Sequence, residues 1–272
     1  MNVISWFLGL GERYDVVVNL DGFNEVALSM GENYSAGVYP YFPRRWDQRV
    51  AGVPDNDRLR EIGRITYFQD LQKSLSPKVF PQLHSLAITR LVARLLQAIA
   101  GTQVSLGRAE LRALPIRSDY ESKGPFLEYK SQDVLRRAVV NHWARTSRLL
   151  DNLVRGEGGE YHHVLQPNQY FEGSKTLTEA ELSTAYIDPD GTLGGFARDG
   201  YPLLRNRGAV LSASGLFFHD ATQIYREIGE TIYVDACCHV NQKGDDILAQ
   251  FVVDEILATT SVPGLRPNSG VQ

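Results

Sequence analysis

The sequence predicts an α/β fold with a mostly parallel sheet, and three observations carry that prediction. Short apolar runs rich in valine alternate with longer segments of helical period, the pattern of strand–helix–strand units. The first run is continuously apolar rather than alternating, as strands buried on both faces are. Three strand-like runs end in short polar clusters, DGFNE, QPNQ and DACCH, and in open parallel sheets ligands bind at the carboxyl ends of strands. With 272 residues, 43% hydrophobic and 22% charged, the chain suffices for one large α/β domain or two small ones.

YDVVVNL (Tyr14 to Leu20) reads as a buried strand by its length and β-branching, and it ends in the polar loop DGFNE. Residues 26–55 hold turn formers and aromatics, including YPYFPRRW (Tyr39 to Trp46), and read as a long irregular surface segment. Helical period follows from about Asn56 to Leu75 and from Pro81 to Ala100. In the second of these, LHSLAITRLVARLLQAI spaces its apolar residues by three and four, with Arg90 and Arg94 on the other side. A third helix is expected from about Ser131 to Arg155, stopped by GEGGE. YHHVLQPNQY (Tyr161 to Tyr170) is a strand running into a loop at Pro167. TEAELSTA and FARDGYPLLRNRGAVL suggest short helices around the turn DPDGTLGG. GLFFHDAT (Gly215 to Thr222) is a further strand, ETIYVDACCH a brief strand or extended run, and KGDDILAQFVVDEILATT a closing amphipathic helix. The helical block from about 56 to 155 is either an insertion beside the sheet or part of its helical layer.

Composition narrows the function classes. Net charge is −4 and no Lys/Arg block exceeds two residues, so the footprint of a nucleic-acid binder is absent. The two cysteines, Cys237 and Cys238, are neighbours and imply no disulfide framework. The opening MNVISWFLGLGERYD lacks the basic region of a signal peptide, and no segment has the length of a membrane span. The chain as given reads as soluble, and any signal or anchor would lie upstream of it.

Several residues invite a chemical reading, and each has a plainer one. His239 has the titration range of a general base, and Asp235, four residues earlier, is the kind of group that fixes an imidazole tautomer. The plain reading is a surface histidine before a helix. Asn24 offers a side-chain amide to an oxyanion, with Gly22 permitting the tight turn, yet glycine and asparagine are common in turns for backbone reasons alone. Cys237 and Cys238 pair in principle with His239 as nucleophiles, but buried, inert thiols are the simpler account. On a strand His162 and His163 point to opposite faces, which argues against a shared metal. DPDGTLGG lacks the carboxylates of a calcium loop. His84, His142 and His219 have no suggestive neighbours in the sequence. No cofactor and no metal is expected.

Together the clusters say more. DVVVNLDGFNE resembles the block of SGNH (GDSL-type) serine hydrolases in which a strand delivers a Gly-x-Asn motif, here Gly22, Phe23 and Asn24. YVDACCHVNQKGDDILA resembles the family's last block, an Asp–His pair before a glycine and the C-terminal helix, and VLQPNQY and GSK look like a bacterial subgroup. The resemblance covers roughly residues 14–26 and 215–258, with weaker support from 161–175. It implies a flavodoxin-like three-layer α/β/α fold across a single domain, with a helical insertion and a sheet incomplete at the N-terminus. It also implies ester hydrolysis: His239 as base, Asp235 as its orienting acid, and Asn24, presented by Gly22, as oxyanion donor. The substrate class so implied is an ester or O-acetyl group of a carbohydrate or lipid.

Three departures from the family pattern are visible. No Gly-Asp-Ser-type motif precedes Asn24, so the nucleophile is expected in sequence outside this chain. Ser29 and Ser35, the serines nearest Asn24, have nothing to place them at His239. The final motif is Asp-x-x-x-His where the family has Asp-x-x-His, which leaves a backbone carbonyl or Asp220 as substitutes for Asp235. The Asn and His blocks also stand farther apart than is usual. A missing central strand would leave apolar sheet exposed, to be covered by another segment, a partner chain or a second copy. The alternative is a catalytically inactive relative that serves as a binding or interaction module.

Overall fold

The computed structural model describes residues 2–46, 49, 56–76, 87–114, 120–125 and 127–262. The chain divides into two compact units, one of Met1–Arg44 with Phe126–Gln272 and one of Arg45–Pro125. The expected helical block divides with it. Among the described residues three of its helices, one of them a single turn, fall in the second unit, whereas Gln132–Gly156 packs inside the first.

The first unit is mixed α/β around a three-stranded parallel sheet. Helix α1 (Asn2–Gly9) precedes strand β1 (Val16–Asp21), which pairs in parallel with β2 (Glu160–Leu165); β2 pairs in parallel with β3 (Phe217–Asp220). Register runs Val16 to Glu160 through Asp21 to Leu165, and His162 to Phe217 through Leu165 to Asp220. All six residues of β2 are buried, as befits the central strand. β1 is an edge strand: among the described residues no strand pairs its other side, and Val18 and Leu20 are 42% and 44% exposed.

ETIYVDACCH adds no fourth strand. Its pairing is a single antiparallel bridge between Tyr233 and Val240. Residues 26–33 correct the reading of an irregular surface segment. Helix α2 (Phe23–Ala27) runs into a π-helical turn (Leu28–Asn33) and a 3₁₀ turn (Tyr34–Ala36), burying Phe23, Val26, Ala27 and Met30 to 2% exposure or less. The aromatic, glycine-bearing composition reads as loop, but these four residues recur at helical spacing and face the core. The rest of that segment lies partly outside the described residues.

In the second unit, α3 (Asn56–Ser74) and α4 (Ala87–Ala113) form an antiparallel hairpin. Gln72 donates to the Gln97 carbonyl, and Arg64 reaches Gln103 and Glu110. The α4 helix continues past the expected end at Ala100. Gly107 sits where a Cβ would lie 2.9 Å from Ile65, so the glycine is the point of close helix approach rather than a stop. A single turn, α5 (Tyr120–Lys123), follows in the same unit.

Back in the first unit, α6 (Gln132–Gly156) starts where the Ser131 hydroxyl accepts from Val134 N–H, an ordinary N-cap. Its buried Leu135, Val139, Trp143 and Leu150 line one face at helical spacing. After the short α7 (Glu179–Thr184), α8 (Thr192–Ala213) is a single long helix where short ones were expected. Pro202 sits inside it, a placement that costs about 3 kcal/mol. Burial of Ala197, Tyr201, Leu204 and Leu211 to 0% exposure outweighs that cost. Helix α9 (Gln242–Thr259) is capped by Asn241, whose side chain accepts from Gly244 N–H at 3.0 Å. His162 and His163 point to opposite faces of β2, as strand period requires. His163 meets Ser147 of α6, while His162 meets His219, which in turn bonds Glu255 of α9.

Candidate active site

The carboxyl end of β1 delivers Asn24. Gly22 takes φ +140°, a conformation closed to other residues, and a Cβ there would lie 2.6 Å from a Leu165 methyl. Its N–H donates to Glu25 Oε2 at 2.7 Å, which ties the turn to the first turn of α2 and leaves Asn24 exposed. Gly22→Ala is therefore expected to cost about 1–3 kcal/mol, read as a lowered denaturation midpoint. A loss below a few tenths would show the turn to be unstrained.

A buried network anchors that turn from behind. Asp21 Oδ1 accepts from Trp143 Nε1 at 2.7 Å and from His163 Nε2 at 2.8 Å, and Oδ2 accepts from Asn19 Nδ2 at 2.6 Å. With Nε2 as donor, His163 Nδ1 is the acceptor for the Ser147 hydroxyl at 2.7 Å. These are the residue types of a hydrolytic triad, but Ser147 is 2% exposed and His163 0%, so the group is a closed anchor for β1. Burial, then the charge of Asp21, pushes the Glu25 carboxyl up to about 7.

The other candidate residues sit on a tight hairpin. Tyr233 bridges Val240, Val234 N–H donates to His239 O at 2.9 Å, and Asn241 N–H donates to Ile232 O at 2.8 Å. At its tip Asp235 Oδ2 lies 2.6 Å from His239 Nδ1, while Oδ1 accepts from Cys237 N–H at 2.8 Å. The pair therefore forms despite its four-residue spacing. The extra residue is absorbed at Cys238, which adopts a left-handed φ of +65°. A carboxylate only accepts, so in the neutral ring Nδ1 carries the proton and Nε2 the lone pair. Nothing among the described residues hydrogen-bonds that Nε2. Burial draws the Asp235 carboxyl upward, but the bonds from His239 and Cys237 outweigh it and hold the group below its usual range. Asp220, the possible substitute, is engaged elsewhere by Arg205 and Thr222.

The structure brings Asn24 and His239 to one cleft of about 580 Å³, from opposite ends of the sequence. Leu20, Phe23, Leu28, Leu193, Val240 and Leu248 line it, with Gln166, Asp245 and Arg44 among its polar groups. Arg44 is held by a bidentate pair with Glu32 at 2.6 and 2.8 Å. No serine or threonine lines the cleft among the described residues. Its two thiols are poor nucleophiles: burial, then the charge of Asp235, pushes Cys237 up, and burial, then Cys237, pushes Cys238 up to about 12.

Two histidines without company in the sequence have partners in space. His219 Nδ1 lies 2.8 Å from Glu255 Oε2 and its Nε2 3.0 Å from His162 Nδ1, and His142 stacks on Tyr41 at 3.8 Å. His84 lies outside the described residues. Among the described residues no group of three or more His, Cys, Asp or Glu is arranged to hold a metal ion, and no helix is long and apolar enough to cross a membrane. Comparison with protein-family models, curated proteins and solved structures finds no match to this chain.

The sequence marks QPNQ as a strand-end polar cluster but does not show that its Gln169, with Tyr170 and Glu181, holds the hairpin in place. Gln169 donates to the Asp235 carbonyl, Tyr170 to the Ala236 carbonyl, and Glu181 accepts from Ile232 and Tyr233. The repeated polar residues of QPNQY, with no turn glycine to explain them, were the available signal.

Proposed function

We propose that the first unit carries the base and oxyanion donor of an SGNH-type ester hydrolase, acting on an ester or O-acetyl group of a carbohydrate or lipid. His239 takes the proton of a hydroxyl nucleophile, Asp235 orients the ring and stabilises the imidazolium, and Asn24 donates to the developing oxyanion. The observation that carries the reading is the Asp235–His239 pair at 2.6 Å on the same cleft as an unengaged Asn24 amide. Energetics favour a functional role for the pair. Its side chains are 44% and 71% exposed, and such pairs add about 0–1 kcal/mol to stability, too little to justify a strained loop. Parallel strands with α6 and α9 meeting opposite faces of β2 and β3 support a three-layer arrangement of the flavodoxin-like kind.

The hydroxyl comes from a segment outside the described residues. On this reading the open edge of β1 is where such a segment pairs, since a parallel neighbour there brings its carboxyl end to the same rim. The test is labelling of the protein, as encoded in its natural gene, with a fluorophosphonate probe, together with hydrolysis of an acetyl ester. A labelled serine is expected, and His239→Ala should lower turnover by about 10⁴-fold or more while leaving the fold intact. Labelling and turnover indifferent to His239→Ala would remove it from the mechanism. The absence of a serine or threonine from the cleft among the described residues favours one other reading, a module that binds an ester-bearing glycan or lipid without turning it over. Saturable binding of an acetylated glycan by an unlabelled protein would favour that reading.

A further inference from the structure

The hairpin that carries Asp235 and His239 is closed by its own backbone bonds and gripped from outside as well. Cys238 sits in the left-handed region that favours glycine, a strained backbone for a cysteine. The exposed Asp235–His239 pair, screened by solvent, does little to offset that strain. Further restraint on the loop comes from the segment from Gln169 to Glu181. Gln169, 4% exposed, donates its amide to the Asp235 carbonyl at 2.9 Å and to the Ala185 carbonyl at 3.0 Å. Tyr170, 3% exposed, donates its hydroxyl to the Ala236 carbonyl at 3.2 Å. At the root of the hairpin, Glu181 Oε1 accepts from the N–H groups of Ile232 and Tyr233 at 2.8 and 3.0 Å. Its Oε2 accepts from Lys175 Nζ at 3.0 Å and from Thr178 N–H at 2.8 Å, with both charged side chains fully buried.

We propose that Gln169 and Tyr170 are positioning residues for His239, which fix the backbone of its orienting acid while the buried Lys175–Glu181 pair fixes the extended run before it. The inference rests on reading His239 as a base. The two carbonyls gripped belong to the orienting residue itself and to the residue after it. Releasing them lets the loop relax at Cys238 and separates Asp235 from the ring. His239 Nδ1 then loses its acceptor, and the ring turns over to the Nε2-protonated tautomer that free histidine prefers in water.

The tautomer is read directly from the imidazole ¹⁵N shifts of His239, with no need for turnover. In the full chain the ring is expected to be predominantly Nδ1-protonated. In Gln169→Ala that form should fall to a minority, with helicity and cooperative melting retained. Tyr170→Phe, which removes one hydroxyl and leaves the ring packing, should shift the populations in the same direction by less, and it serves if Gln169→Ala does not fold. A folded variant of either kind with wild-type shifts and an unchanged His239 titration midpoint overturns the positioning role. A wild-type ring already Nε2-protonated overturns the base assignment instead, so the two failures are distinguishable.

Discussion

Replacing Glu181 with alanine is expected to lower the stability of the first unit by about 3–5 kcal/mol, the usual effect of removing one member of a buried ion pair. The substitution strands the Lys175 ammonium, whose side chain is fully buried, and orphans the N–H groups of Ile232, Tyr233 and Thr178. Each orphaned donor carries a desolvation penalty of its own, about 1–3 kcal/mol. Burial draws Glu181 upward, but its hydrogen bonds from Thr178, Ile232, Tyr233 and Lys175 outweigh that and hold the carboxyl below its ordinary value. A depressed carboxyl gives stability that is present above the unfolded value and lost as pH falls through the folded one. Glu181→Ala should therefore narrow its gap to the wild type in acid. Chemical denaturation at neutral and acidic pH measures both effects, and a loss under about 1 kcal/mol at neutral pH would contradict the assigned network.

Asp21→Ala is expected to cost about 2–4 kcal/mol, because it leaves Trp143 Nε1, His163 Nε2 and the Asn19 amide without their acceptor. It also has a titration signature. Glu25 is pushed from 4.5 to about 7 by burial first and by the Asp21 charge second. A carboxyl raised in the folded state loses stability as pH rises from the unfolded value towards the folded one, here across 4.5 to about 7. In Asp21→Ala the Glu25 midpoint should fall partway, and this slope of stability against pH should flatten with it. Carboxyl ¹³C titration reports the midpoint, and an unchanged value would show that burial alone sets it.

Much of the sheet is legible in the sequence because its signals are local. Three valines in a row announce β1, and the amphipathic pattern of KGDDILAQFVVDEILATT announces α9. The stretch after Asn24 misleads because turn formers and aromatic residues recur along it while Val26, Ala27 and Met30 keep helical spacing. The meeting of Asn24 with His239 follows from the order of the motifs along the chain. The four-residue Asp–His spacing is reconciled only in three dimensions, since no property of a cysteine declares that Cys238 takes a positive φ. Gln169, Tyr170 and Glu181 stay hidden for a different reason. Their partners are backbone groups more than fifty positions away, and a carbonyl looks the same whatever residue bears it.

The edge of β1 has a consequence for how the protein behaves in bulk. Asp15 and Asp21 direct their carbonyls to β2, so by strand alternation Val16, Val18 and Leu20 turn their backbone groups outward. Natural edges are usually blunted by lysine, proline or a bulge, and VVVNL has none of these. Such an edge is open to pairing. Whichever strand reaches it first sets the fate of the molecule: a strand of the same chain would close the edge, and the β1 edge of a second copy would join two molecules into a dimer. The balance between the two shifts with concentration, which makes dilution a means of preserving the monomer.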